Sequence, residues 1–217
     1  MVVGATVRKR DRAARELSLL GAASKLFASK GFETTTTREI AAEAGCAEGL
    51  IHRYFGGKEG LLLAIVRNRA SQEAMELADH AWPAASIEEE LLQLVEWELE
   101  RAWRDRDFLK VVLRQAMLNS ALAEVINTIN LTEHSKAITD RLMRFKVCRD
   151  LPNSECEALA HFVISSGFMF GFMRPVVLRQ SRARASEVAG TIAKLLGRSL
   201  SSGSFAADDF VSLPVLG

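Results

Sequence analysis

The sequence has few of the residues that define several common protein classes. It contains three cysteines and four prolines among 217 residues. Three cysteines in a chain of this length exclude a disulfide framework and are typical of a reducing compartment, so we expect a cytoplasmic protein. Four prolines and 14 glycines exclude collagen-like and Pro/Gly-rich disordered classes. The composition therefore indicates an ordinary globular chain with enough residues to bury a core.

Long hydrophobic runs are also absent. The most apolar stretch, residues 162–173, ends at Arg174. A bilayer-spanning helix needs about 20 apolar residues, so this stretch predicts a buried helix and no membrane partner. The first 15 residues turn basic where a secretory signal would turn apolar.

Motifs of catalysis are missing from the sequence. The four histidines have no zinc-ligand spacing, the cysteines form no CxxC pair, and there is neither a GxxxxGK loop nor a GxSxG elbow. We therefore expect no enzyme activity, no metal site and no cofactor.

Positive charge is concentrated near the start of the chain. Residues 8–15 hold five Lys or Arg and one Asp, whereas the whole chain has a formal net charge of +1. A basic segment ahead of a mildly acidic body favours a polyanionic partner. A solvated basic tail is the alternative interpretation of this segment.

Apolar residues recur at helical spacing, and no alternating run predicts a strand. The predicted fold class is therefore all-α. Three capping boxes are expected to open helices, at Thr36–Glu39, Ser86–Glu89 and Ser154–Glu157. Trp82-Pro83 interrupts the pattern and predicts a boundary, and Pro175 is expected to kink or stop its helix. Helices are predicted over about residues 10–29, 36–44, 48–54, 58–79, 107–116, 119–149, 154–173 and 186–200, and a further helix is predicted to start at Ser86 and to include the glutamates up to residue 100.

Two short helices joined by a tight glycine-containing turn, between two longer helices, are typical of a helix-turn-helix DNA reader. Over about residues 15–65 the sequence resembles the N-terminal domain of the TetR family of bacterial transcriptional regulators. The resemblance rests on Ala22-Ala23-Ser24-Lys25-Leu26-Phe27, Gly31-Phe32, Thr35-Thr36-Thr37, Ile40-Ala41, Ala44-Gly45, Gly49-Leu50-Ile51-His52-Arg53-Tyr54-Phe55 and Lys58-Glu59-Gly60-Leu61.

The resemblance implies a three-helix DNA-binding domain followed by a larger helical domain for ligand binding and dimerisation. The expected division is a DNA-binding domain with its basic arm over residues 1–57, a linking helix over 58–82, and the ligand-binding and dimerisation domain over 83–217. The expected partners are double-stranded operator DNA, a second copy of the chain and an apolar small-molecule effector.

The third helix has the layout that a major groove requires. A rotation of 100° per residue places Ile51 and Phe55 on one side, where they face the domain core. The opposite face reads base edges and its flanks reach phosphates. This face and its flanks carry the predicted DNA-binding residues Gly49, Leu50, His52, Arg53 and Tyr54.

Arg53 is the predicted base reader, because its guanidinium fork can bond O6 and N7 of guanine. A phosphate contact is the alternative for Arg53, and a core position is the alternative for Leu50.

The resemblance predicts four further DNA-binding residues, three at the start of the second helix and one at the start of the fourth. Thr37 and Arg38 match family positions that contact the operator, and Lys58 matches a lysine that grips phosphate. Thr36 is either a further DNA contact or only a helix cap. Ala47 replaces a serine that is common in the family, which predicts a recognition helix without a side-chain N-cap.

Large apolar residues beyond position 90 are candidates for the effector pocket, because methionine and aromatic side chains form adaptable cavities. Plain core packing is the alternative. Arg114, Gln115, Asn119 and His134 are candidates to orient a polar group of the effector. The predicted pocket residues are Trp97, Trp103, Phe108, Met117, Met143, Phe168 and Phe172.

Gly167 and Gly171 lie on one helix face and permit close approach of another helix. They predict a dimer seam, with packing inside one subunit as the alternative. The function predicted is a ligand-responsive DNA-binding regulator, most simply a repressor that an apolar ligand releases from a palindromic operator. A helical protein-interaction module without sequence-specific DNA binding is the alternative.

Overall fold

The computed structural model describes residues 3–79, 84–129 and 134–202. These ranges contain helices and turns and no strand, which confirms the all-α class. The break predicted at Trp82-Pro83 lies outside them. The helices are α1 (Val3–Lys30), α2 (Thr37–Glu43), α3 (Gly49–Phe55), α4 (Lys58–Asp79), α5 (Ile87–Arg104), α6 (Arg106–Leu118), α7 (Ser120–Ile129), α8 (Ser135–Leu142), α9 (Lys146–Arg149), α10 (Asn153–Ser166), a π-helical segment (Gly167–Val177) and α11 (Arg182–Ser202).

The single helical pattern predicted over residues 119–149 is wrong. Asn119 adopts an extended conformation, and its side-chain carbonyl accepts a hydrogen bond from the backbone N–H of Leu122 at the start of α7. Phe145 is extended as well and separates α8 from α9. The apolar residues keep their helical spacing across these breaks, because each short helix buries one apolar face, as a single long helix would.

The three predicted capping boxes have different outcomes. The box at Thr36 is formed in full. The hydroxyl of Ser86 accepts from the N–H of Glu89, whose carboxylate accepts from the N–H of Ala85. The third box is wrong, because α10 begins at Asn153 behind Pro152 and has no side-chain cap. Ser154 is then already inside the helix, so its hydroxyl cannot serve as the cap.

Pro175 does not stop its helix. The chain changes from α to π geometry at Gly167 and continues through Pro175 to Val177. Together, residues Asn153–Val177 are long and apolar enough to span a membrane by composition, and 44% of the most apolar window is buried inside the fold. Core helices pass the same test, so this is weak evidence for a membrane span.

The chain divides into two compact units. The first comprises residues 1–76 and 105–134, and the second comprises residues 77–104 and 135–217. These units do not follow the divisions predicted at residues 57 and 82, because α6 and α7 pack with the first three helices. The predicted functional division into DNA-binding, linking and ligand-binding parts stays a prediction.

The core of the first unit is mainly apolar, and Thr35 is a fully buried polar residue of the same unit. α1 packs against α2 and α6, and the buried side chains include Leu19, Phe27, Ile40 and Ile51. Burying a side chain of this size contributes about 1.5–3 kcal/mol. This core fixes the orientation of the two short helices that follow α1.

The second unit surrounds α5, which packs against α8, α10, α11 and the π segment. Its apolar core also encloses an ion pair. The guanidinium of Arg141 donates to both carboxylate oxygens of Glu90, with Nε–Oε1 at 2.6 Å and Nη2–Oε2 at 3.1 Å. The guanidinium also donates to the backbone carbonyl of Leu77 at 3.2 Å. Arg141 is 1% exposed, so this pair is shielded from solvent.

Gly167 and Gly171 are buried where the π segment crosses α5. A Cβ atom at Gly167 would lie 2.8 Å from Cβ of Glu98, and one at Gly171 would lie 2.6 Å from the carbonyl oxygen of Leu99. Both glycines are therefore used for helix packing within one chain. The dimer seam predicted at these two residues is corrected to an intrachain contact.

Candidate nucleic-acid interface

The second helix begins with a reciprocal cap. The hydroxyl of Thr36 accepts from the N–H of Glu39 at 3.2 Å, and the carboxylate of Glu39 accepts from the N–H of Thr36 at 2.9 Å. The cap holds the backbone at the start of α2 in place. The N-terminus of this helix carries a partial positive charge, which favours a nearby anion. Thr36 and Arg38 are exposed there, and Thr37 is half-buried.

Glu39 also receives a hydrogen bond from the ammonium group of Lys30 at 2.9 Å. That hydrogen bond, followed by those from the backbone and hydroxyl of Thr36, lowers the pKa of Glu39 to about 2. The carboxylate is therefore ionised at neutral pH and keeps the cap complete.

The recognition helix α3 has the two predicted sides. Ile51 is fully buried in the apolar core, and Phe55 packs against that core. Gly49, His52 and Arg53 are exposed. The helical rotation inferred from the sequence therefore agrees with the structure at these five positions.

Leu50 and Tyr54 are half-buried and pack against the core of the first unit. The guanidinium of Arg12 lies over the ring of Tyr54, 5.0 Å from its centroid. The basic segment of α1 thus contacts the recognition helix directly. Nothing in the spacing of the sequence indicated this contact, because the two residues are far apart along the chain.

Arg38 and Arg53 form no ion pair within the part of the chain that the structure describes. The hydroxyl of Thr37 donates to the carboxylate of Glu48 at 2.6 Å, which joins α2 to the start of α3. Glu48 stands at the N-cap of α3 and makes no side-chain cap there, as the missing serine predicted. The surface thus presents two arginines to a partner.

Lys58 has a structural role that the sequence did not predict. Its ammonium group donates to the carbonyls of Phe32, Glu33 and Thr35, at 2.7, 3.4 and 3.1 Å. It also lies 4.4 Å from the centroid of the Phe32 ring. These contacts fix the loop ahead of α2, and phosphate binding by Lys58 stays a prediction.

Gly60 is a further structural residue of this region. A Cβ atom at Gly60 would lie 1.7 Å from the carbonyl oxygen of Phe55, the last residue of α3. Only glycine permits this approach of α4 to α3. Gly60 is part of the Lys58-Glu59-Gly60-Leu61 motif of the sequence, but only the backbone structure shows why glycine is required there.

The predicted pocket residues fall into both units. Phe108 is buried in the first core beneath the guanidinium of Arg69, and Met117 is 87% exposed. In the second unit, Phe172 is buried and stacks on Phe168, which is 37% exposed. The three remaining candidates are half-buried residues of the second unit, Trp97, Trp103 and Met143.

The polar candidates for effector binding have other partners or belong to the first unit. Asn119 caps α7, and His134 lies 3.6 Å from the carboxylate of Glu73. Arg114 and Gln115 line a cleft of the first unit.

Residues 19–65 match the family model described as bacterial regulatory proteins, tetR family. The HTH-type transcriptional regulator YvkB of Bacillus subtilis (strain 168) is 28% identical over 127 residues, which cover 58% of this chain and 63% of that protein. The chain thus spans less than two thirds of this relative.

Solved structures show the same fold. A TetR-family transcriptional regulator from Pectobacterium atrosepticum superposes with a TM-score of 0.66, at 19% identity, over 88% of this chain and 96% of that one. FadR from Bacillus subtilis, solved in complex with stearoyl-CoA, superposes with a TM-score of 0.58 at 18% identity, over 83% and 97% of the two chains. These matches confirm the resemblance: residues 19–65 match the helix-turn-helix domain of the tetR family, and the chain has the fold of solved TetR-family regulators.

Proposed function

We propose that this protein is a transcriptional regulator that binds a palindromic operator as a homodimer and is released by an apolar small molecule. The observation that carries the proposal is the exposed surface of α2 and α3. Arg38 in the first turn of α2 and Arg53 on α3 are exposed there, and neither has an ion pair within the described ranges. An arginine without a partner on a rigid helix is suited to a bidentate contact with guanine.

A second copy of the chain would supply the second recognition helix. The exposed large apolar residues of the second unit include Phe168 and Met169 on the π segment and Leu195 on α11. Exposed apolar surface on two neighbouring helices is typical of an interface. We propose that two copies joined there bind the operator with their α3 helices in successive major grooves, about 34–36 Å apart.

The effector is proposed to act through α4. This helix begins in the first unit at Lys58, and its last turn, from Leu77, belongs to the second unit. Arg141 binds the carbonyl of Leu77 while it is held by Glu90. A ligand that rearranges the core around this pair would therefore move the end of α4 and change the spacing of the two recognition helices.

The half-buried side chains that pack against the second core favour an apolar effector. The second core is lined by half-buried Trp97, Met143 and Phe170. FadR of Bacillus subtilis, which has the same fold, was solved with stearoyl-CoA. We propose an effector with a hydrocarbon body, bound among such side chains in the second unit.

The proposal is tested by selecting DNA sites from a random library with the purified full-length chain. An inverted repeat with a guanine in each half-site supports it. Recovery of no sequence preference between about 50 and 200 mM salt would support the alternative, a helical interaction module. Binding to the selected DNA is then measured again with long-chain acyl-CoA added as the probe, and this measurement tests whether the ligand releases the DNA.

A further inference from the structure

The first unit contains a cleft of about 200 Å³ between the loop that follows α1 and one face of α6. Phe32 and Val111 form its apolar part, and they are 7% and 9% exposed. Polar and charged side chains surround this part. The lining residues are Lys30, Gly31, Phe32, Glu33, Thr34, Lys110, Val111, Arg114 and Gln115.

Three cations line the cleft, and two of them have acidic partners outside it. Lys30 donates to Glu39 at 2.9 Å, and Lys110 donates to Asp107 at 2.8 Å. Arg114 is exposed and forms no ion pair with any residue that the structure describes. Arg114 is therefore the cation of the cleft that is available to a ligand.

One carboxylate, that of Glu33, also lines the cleft. It accepts a hydrogen bond at 3.0 Å from the side-chain amide of Gln115, which is 8% exposed. This bond fixes the loop to α6 and keeps the cleft in shape. Acidic partners balance the two lysines, so the charge of the lining that is available to an anion is the guanidinium of Arg114.

We propose that this cleft binds a small organic carboxylate, with the carboxylate on the guanidinium of Arg114 and the hydrocarbon body against Phe32 and Val111. The planar fork of arginine matches the two oxygens of a carboxylate. A cavity of about 150 Å³ holds a benzene ring, so this cleft holds a ligand about the size of benzoate. The site is in the first unit and is separate from the effector site proposed in the second.

The test uses sodium benzoate as the probe and the full-length chain as the protein. Binding is measured by calorimetry and by the shift of the unfolding temperature, with ionic strength held constant by sodium chloride. Benzyl alcohol supplies the same ring without the charge, and inorganic phosphate supplies an anion without the ring. Each probe is used at about 10 mM, which detects millimolar affinity.

Two variants locate the binding. Arg114→Gln removes the guanidinium from the cleft. Arg67→Gln is the matched control, because Arg67 is an exposed arginine of the same unit that does not line the cleft. Both side chains are exposed, so neither change is expected to prevent folding.

The proposal predicts that benzoate stabilises the unchanged chain and Arg67→Gln equally, and that Arg114→Gln lowers its affinity at least about tenfold. Benzyl alcohol and phosphate are expected to bind much more weakly than benzoate. The proposal is overturned if benzoate does not bind, if Arg114→Gln binds it as well as the unchanged chain, or if either control probe binds as tightly.

Discussion

The two compact units contain arginines in opposite environments. In the first unit, Arg38 and Arg53 extend from α2 and α3 into solvent and have no ion pair within the described part of the chain. In the second unit, Arg141 is enclosed with Glu90 and reaches the carbonyl of Leu77. An arginine in the first environment is available to a partner, whereas Arg141 holds three helices together.

This difference assigns separate roles to the units. Charge on the surface of the first unit costs little solvation and can be used for DNA, whose phosphates and base edges attract arginine. Charge inside the second unit has a large desolvation cost and persists because it is paired and hydrogen-bonded. Changes to the second unit should therefore affect stability, and changes to the exposed arginines of the first should affect binding.

The largest effect is expected for Arg141→Met. It leaves the carboxylate of Glu90 buried without its partner, so the second unit should lose about 3–5 kcal/mol in its free energy of unfolding. Urea unfolding measures the loss. Lys136→Met is the control on the same helix, since Lys136 pairs with Asp140 on the surface and should cost less than about 1 kcal/mol. Equal losses in the two variants would contradict the assignment.

Gly60→Ala should have the next largest effect. The added methyl group would overlap the carbonyl of Phe55, so α3 and α4 must separate and the first unit should lose about 1–3 kcal/mol. Gly49→Ala is the control, because no atom lies within 4 Å of a Cβ there. Thermal unfolding compares the two variants. A Gly60→Ala variant as stable as Gly49→Ala would show that the close approach is not required.

Lys58→Met tests whether this lysine serves the fold. Loss of its hydrogen bonds to the carbonyls of Phe32 and Thr35 should destabilise the first unit by about 1.5 kcal/mol. The free energy of unfolding in urea, measured without DNA, gives this value. An unchanged free energy would favour a role confined to phosphate binding.

Glu39→Gln should have the smallest effect, and that effect depends on pH. The pKa of Glu39 is about 2 in the folded chain, below its ordinary value of 4.5, so its contribution to stability is present above pH 4.5 and is lost as the pH falls through about 2. The unfolding temperatures of the variant and the unchanged chain should therefore converge on acidification. A difference that stays constant over this range would contradict the role of the carboxylate. Glu124→Gln, an exposed change on α7, serves as the control.

The short helices α2 and α3 could be predicted from the sequence because their signals are local, whereas α1 was predicted to begin at about residue 10 and begins at Val3. A capping box, glycines at positive φ and apolar spacing decide where α2 and α3 begin and end. Gly31, Gly45 and Gly56 have φ values of 90°, 62° and 76°, a conformation that few other residues adopt. α4 was predicted to run from Lys58 to about Asp79, which agrees with its described range.

The second unit could be predicted less well, because its organisation depends on long-range packing. The glycines at 167 and 171 signalled close packing correctly, but not that the partner would be α5 of the same chain. The pairing of Arg141 with Glu90 joins residues 51 positions apart and has no local signature. The contacts of Lys58 could not be predicted for the same reason, although the sequence matched this residue to a lysine of the family.

The most direct test of the central claim compares Arg53→Ala with the unchanged chain on the selected operator and on unrelated DNA. If Arg53 reads a base, operator affinity should fall by about 1–3 kcal/mol while affinity for unrelated DNA changes little. Arg67→Ala on α4 should leave both affinities unchanged. Equal weakening on both DNAs after Arg53→Ala would make Arg53 a phosphate contact and would contradict base reading by α3.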